Sequence, residues 1–207
     1  MNPPPLSARR RRGYTLTEVA IVLGVIGVVI AAIWTAAAVV NEKTRLSQAL
    51  NQTNIVAQNM SSLMQGGYGV IDPGDQTDIT AAMITSGVIP QWAVTPGSVT
   101  TGQSPWDQAG FHMWWASSNP REYRISFYNV GSNRSCIGLI MALASCPPGQ
   151  PGCPVRIVTN GIVSGYTAGG INLLTTQLTS TLAQTWCNKN DYTGGGGNNS
   201  VEFNFRS

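Results

Sequence analysis

The sequence carries little charge. Asp, Glu, Lys and Arg make up 10% of its 207 residues, a low share for a solvated enzyme surface. Basic patches are missing too, once Arg9–Arg12 are set aside. The chain after Gly13 has eight basic against nine acidic groups, which excludes the clustered Lys/Arg footprint of a nucleic-acid binder. Histidine occurs once, at His112. With no Cys-x-x-Cys either, a zinc site lacks its ligands, and no metal or cofactor is expected. Glycines 194–197 are not followed by Gly-Lys-Ser/Thr, so they form no phosphate loop. Ser104, Ser117 and Ser126 have no base placed near them by motif, so no nucleophile and no catalytic residue can be named. Proline is absent from Tyr14 to Met64, and a second long apolar run is absent from the whole chain.

What is present is concentrated at the start. "RRRRGYTLTE" (9–18) leads into Val19–Val40, 22 residues without charge and with only Thr35 as a polar interruption. At about 1.5 Å per residue this run can cross a hydrocarbon core of about 30 Å. Arg9–Arg12 should remain cytoplasmic, sending the chain after Asn41 across the membrane. A cleaved secretory signal fits less well, because the run exceeds the usual ~7–15 apolar residues and no Ala-x-Ala-like site followed by a turn appears. The four cysteines, Cys136, Cys146, Cys153 and Cys187, all fall on the translocated side and read as two disulfides. Three connectivities are possible. The turn-rich "PPGQPG" between Cys146 and Cys153 favours that pair, leaving Cys136 with Cys187.

Glu18 opens the apolar run. A lone carboxylate in lipid costs about 2.5–3.5 kcal/mol on insertion scales, so a partner is expected. It could be a helix-start acid favoured by the helix dipole. If the chain were cut between Gly13 and Tyr14, the new α-ammonium would lie near Glu18 by i, i+4 geometry. The carboxylate could equally reach the ammonium of a neighbouring copy, and neither charge is tolerated alone in an apolar setting.

Basic leader, Gly13, Tyr14, glutamate as fifth residue after the glycine, and apolar helix together resemble the type III signal of type IV prepilins. The resemblance implies cleavage after Gly13 by a prepilin peptidase, N-methylation of Tyr14, and an assembly role for Glu18. A 13-residue leader followed by tyrosine is similar to the type IVb branch. "GGYGVIDPGDQTDITAAMITSGVIP", "REYRISFYNV", "SCIGLIMALA" and "TWCNKN" with "NNSVEFNF" resemble, more loosely, PilS-type pilins of thin conjugative and bundle-forming-like pili. The family implies an α+β lollipop: a long N-terminal helix, transmembrane in its first half, on an antiparallel-sheet head with short helices and a C-terminal disulfide region. Expected divisions are leader 1–13, apolar helix 14–40, amphipathic continuation 41–65 and extracytoplasmic head 66–207.

The pattern along the chain supplies detail. Leu46, Leu50, Thr53, Ala57, Met60 and Met64, widened by Ala49, Val56 and Leu63, continue the helix as an amphipathic face stopped by Gly66-Gly67. Gly24 and Gly27 serve either close helix packing or local loosening. "DITAAMITSG" is expected to be a short helix capped by Thr77 or Asp78 and ending at Gly87. "AGFHMWWA" and "REYRISFYNV" read as strands broken by "SSNP", the second burying one face through Tyr123, Ile125 and Phe127. A helix is expected from Cys136, a strand over "VRIVTNG", a Thr-rich helix over "LLTTQLTSTLAQTW", a turn at "GGGGNN" and a last strand "SVEFNF". The Cys136–Cys187 cystine should tie that terminal strand region to the sheet. His112 reads as structural. Asp72, Asp75 and Asp78 lack the spacing of a calcium loop. Six tryptophans read as core and subunit-contact residues rather than a sugar platform.

The resulting expectation is a structural protein, not an enzyme: the major pilin of a type IVb pilus serving conjugation or adhesion. It would start as a single-pass inner-membrane protein and end as a helical homo-oligomer at the cell surface. Its partners would be a prepilin peptidase, an inner-membrane assembly platform and a separate ATPase, with no direct nucleic-acid contact. A minor pilin or adhesin, or a pseudopilin of a type II secretion system, would share the leader.

Overall fold

A computed structural model describes residues 15–66, 77–116, 122–147, 150, 152–159, 171–187 and 199–206. The leader, the Gly13–Tyr14 junction, Asp72, Asp75, the "SSNP" break and the "GGGGNN" turn lie outside these residues. The chain divides into two compact units, Met1–Asn41 and Glu42–Ser207. Helix α1, Leu16–Gln65, contributes its first half to one and its second half to the other.

Alanine and leucine, no proline and only two glycines keep α1 continuous over 50 residues. In the first unit every residue from Thr15 to Asn41 is exposed. In the second, Ala49, Gln52, Thr53, Val56, Ala57 and Met60 are buried, at the three-and-four spacing of one helix face. Leu46, Leu50, Leu63 and Met64 pack partly against the same core. Gln52 is a buried polar residue that the hydrophobic pattern did not include.

The second unit is built on one antiparallel sheet of five strands in the order β1-β2-β5-β3-β4. The strands are β1 Phe111–Ala116, β2 Glu122–Val130, β3 Pro154–Thr159, β4 Ile171–Asn172 and β5 Asn199–Arg206. The last strand in sequence is therefore the middle one in space. It pairs with β2 on one side (Ile125 opposite Phe203, Phe127 opposite Val201) and β3 on the other (Ile157 opposite Phe203). Its core face carries Val201, Phe203 and Phe205, all fully buried. Tyr123 and Phe205 stack with ring centroids 5.3 Å apart. From the opposite side of the core, the Ala57 carbonyl of α1 accepts a 3.4 Å hydrogen bond from the Tyr123 hydroxyl.

Four expectations need correction. Strand β2 does not bury one face alone, because Ser126 is also fully buried. Its hydroxyl donates to Glu202 of β5 at 3.4 Å, and Glu202 lies 3.6 Å from Arg124. Burial pushes the Glu202 pKa up, while Arg124, Ser126 and Arg156 oppose that rise. Helix α2, Thr80–Thr85, is shorter than expected and begins after Ile79, not after Thr77 or Asp78. Asp78 instead accepts from the Thr80 amide at 2.8 Å, one residue too early to be the cap. Gly87 follows the helix at φ +75°, a conformation that favours glycine.

Helix α3, Asn133–Ala144, starts three residues before Cys136 because Ser132 is its N-cap, accepting from the Ser135 amide at 3.1 Å. Helix α4 covers only Ser180–Cys187. Upstream, the chain turns at Asn172, whose side chain accepts from the Leu174 amide at 3.0 Å. The threonines between resist helix formation, and Thr179 accepts from the Leu182 amide at 3.3 Å to open α4. A cystine joins Cys136 in α3 to Cys187 at the end of α4, and another joins Cys146 to Cys153. The first therefore bridges two helices, and β5 is held by its central position in the sheet. Phe203→Ala should cost about 3–5 kcal/mol by core-cavity precedent, while Val99→Ala at an exposed position should fall within about 0.5 kcal/mol of the parent. Paired chemical denaturation curves in detergent check both.

Candidate functional site

The first described residues form a capping box. Thr15 precedes the first helical residue, and Glu18 is the third residue of the helix, giving the Thr-x-x-Glu spacing. Glu18 Oε2 accepts from the Thr15 backbone amide at 3.1 Å and from its hydroxyl at 3.2 Å. In return the Glu18 amide donates to Thr15 Oγ1 at 3.3 Å. The Thr-x-x-Glu spacing is a local sequence signal for this motif, and Tyr14 lies outside the described residues. Thr15 engages one carboxylate oxygen. Among the described residues, none donates to the other, Oε1.

Beyond the cap, α1 presents a bare apolar surface. Leu16 is 88% exposed, Val28 72% and Trp34 73%, and Ile21, Leu23 and Ile33 are more than half exposed. The helix is long and apolar enough to cross a membrane by length and composition, and its apolar stretch is wholly exposed. At Gly24 and Gly27 an added Cβ would meet nothing within 4 Å. Among the described residues, these glycines therefore answer no packing need.

The second unit opens at Glu42, whose carboxylate lies at the N-terminus of α3. Ser132 Oγ donates to Glu42 Oε1 at 2.5 Å, and Ser135 Oγ donates to the same oxygen. The bonds from Ser132 and then Ser135 hold the Glu42 pKa below its ordinary value. Burial works against them, and Arg45 and Arg134 add to the lowering. The helix dipole of α3 favours the same charge state. No local motif announces this contact, because the partners are 90 and 93 residues apart in sequence.

The other described polar residues that the sequence singles out, His112, Asp78 and Ser104, make local contacts. His112 Nδ1 lies 2.9 Å from Asp78 Oδ2 and Nε2 lies 3.1 Å from the Ala109 carbonyl. The pair fastens residues 77–79 to the edge of β1, where Trp115 N donates to the Thr77 carbonyl and Ile79 N to that of Met113. Ser104 is taken up by a turn, accepting from the Asp107 amide at 2.9 Å. Among the described residues no group of three or more His, Cys, Asp and Glu could hold a metal ion. The tryptophans divide: Trp115 is fully buried, and Trp92 is half-exposed.

Comparison with known proteins gives two findings. Residues 8–34 match the family model described as the prokaryotic N-terminal methylation motif. Among curated proteins no sequence matches. Among solved structures, the crystal structure of a type IVb pilin from Salmonella typhi is similar to this chain. The two are 16% identical, with a TM-score of 0.49, over 78% of this chain and 99% of that one.

Glu42 supplies a pH test. Its folded pKa is depressed, so its contribution is present above the ordinary value of 4.5 and is lost as pH falls through the folded pKa. Glu42→Gln should therefore melt below the parent at neutral pH, and the gap should close on acidification below that value. A gap of constant size across the range, in thermal melts of the detergent-solubilised protein, would remove the charge from this role.

Proposed function

We propose that this chain is the major structural subunit of a type IVb pilus. Residues 1–13 are a leader removed after Gly13 by a prepilin peptidase, and Tyr14 becomes an N-methylated terminus. Residues 14–40 anchor the subunit in the inner membrane, with the N-terminus cytoplasmic, and then enter the filament core. Residues 41–65 continue that helix, and 66–207 form the extracytoplasmic head. The observation that carries the reading is one continuous stretch: the methylation motif at 8–34 overlaps the start of α1, and every residue from Thr15 to Asn41 is exposed.

That surface needs a cover in both states. Lipid hydrocarbon covers it before assembly, and the same helix of neighbouring copies covers it afterwards. The open space around Gly24 and Gly27 lets another helix approach closely. Glu18 has a carboxylate oxygen beyond those contacts to Thr15, suited to accept from the Tyr14 amine of an adjacent copy. Subunits then add in register, since a misplaced copy leaves one charge unpaired in an apolar setting. Work for extraction from the bilayer comes from a separate ATPase acting through a membrane platform. Conjugation or adhesion is the service such a filament would perform.

The capping box provides a way to separate charge from helix start. Glutamine can also accept from the Thr15 amide, so Glu18→Gln keeps the cap and removes the charge, while Glu18→Ala removes both. Both variants should insert into the membrane and fail to form filaments. Filaments from Glu18→Gln at parental levels, counted after shearing cells, would assign Glu18 to the cap alone. Intact-mass analysis of the parent should find Tyr14 as first residue with one added methyl group; an uncut Met1 start contradicts the proposal.

A further inference from the structure

Within the second unit, the exposed side of α1 borders a groove of about 360 Å³. Gln48, Asn51 and Gln52 of α1 form one wall, and Trp92 and Gln103 belong to the other. Among the described residues, no charged side chain lines it. Trp92 sits in a short 3-10 helix, Gln91–Ala93, and is 50% exposed, in contrast to the fully buried Trp115.

The second wall is fixed by a relay of amides. Gln52 is only 1% exposed, and its Nε2 donates to the Gln103 carbonyl at 2.9 Å. Gln103 Nε2 in turn donates to the Trp92 carbonyl at 2.6 Å, and the Gln103 amide donates to the Ala93 carbonyl at 2.9 Å. A buried amide on α1 thus sets the backbone on which the half-exposed indole is mounted. Gln48 and Asn51 are exposed at the opposite wall.

The chemistry of this lining is specific in what it excludes. Without a charged group it offers no counter-charge to a phosphate, carboxylate or ammonium ligand. Each primary amide offers a donor and an acceptor together, which matches adjacent hydroxyl groups on a ring. An indole supplies a broad apolar face with a polar edge, which suits the C–H face of the same ring. The volume falls in the range of small-ligand sites, about 300–1,000 Å³. We propose that this groove binds a neutral carbohydrate of one or two rings, with Gln48 and Asn51 as hydroxyl partners and with Trp92 as the apolar platform, a departure from the sequence reading of the tryptophans that its exposure motivates.

The test uses the full chain in a zwitterionic detergent, because detergents with sugar headgroups would compete. Maltose, lactose, cellobiose and N,N′-diacetylchitobiose are titrated singly, with saturation-transfer NMR and tryptophan fluorescence as readouts. At least one should bind saturably at millimolar concentration. Trp92→Ala should weaken that binding about tenfold or more, with an unchanged melting temperature. Asn51→Ala, on the exposed helix face, should also weaken it and provides a second reading should Trp92→Ala fold poorly. Absence of saturable binding by all four sugars overturns the proposal, as does full affinity in both variants. Sedimentation showing a dimer that Trp92→Ala dissolves, with no response to sugar, would overturn it in favour of a contact between copies.

Discussion

Between Leu16 and Val40 the chain exposes an almost unbroken apolar surface, and water is the one environment that cannot cover it. Burying a single Val, Leu or Ile side chain is worth about 1.5–3 kcal/mol. The exposed set from Leu16 to Val40 therefore represents tens of kcal/mol on that scale. Any environment that this helix occupies must be as apolar as hydrocarbon, which limits the choices to a bilayer and other helices of similar surface. The capping box at Thr15 and Glu18 keeps the polar groups of the helix start satisfied at the edge of that environment.

The second unit obeys a different constraint. Its central strand, β5, is also the last described strand in the chain, and β2 and β3 meet only through it. Neither half of the sheet can complete its core face before Val201, Phe203 and Phe205 arrive. Closing such distant pairings is slow compared with local helix formation. The cystine between α3 and α4 limits how far these helices can separate. Glu42 adds an electrostatic contact from α1 to the start of α3, made at the first residue of this unit.

Legibility followed the range of the interaction. The helix over residues 16–65 could be read because its determinants lie within a few positions of each other. The same holds for β1, β2 and the Cys146–Cys153 loop. The central place of β5 could not be read, since alternating apolar residues specify a strand and not its neighbours. Ser126 looked solvent-facing because nothing nearby in sequence announces Glu202, 76 positions away. The helix at 180–187 is shorter than its amphipathic spacing suggests, because the turn chemistry of Asn172 and the threonines prevails upstream. At the candidate site, the apolar run and the Thr15-x-x-Glu18 spacing are both local features of the sequence. The partners of Glu42 lie 90 or more residues away and leave no local signal.

The central claim is that copies of the apolar helix cover one another, with the carboxylate at its start neutralised across the contact. A density map of the native filament at a resolution that shows side chains tests this most directly. The account predicts the Tyr14 nitrogen within hydrogen-bonding distance of Glu18 on an adjacent copy, with the apolar helices bundled at the axis. Tyr14 and Glu18 far apart in every pair of neighbours, each balanced by a different group, would contradict it.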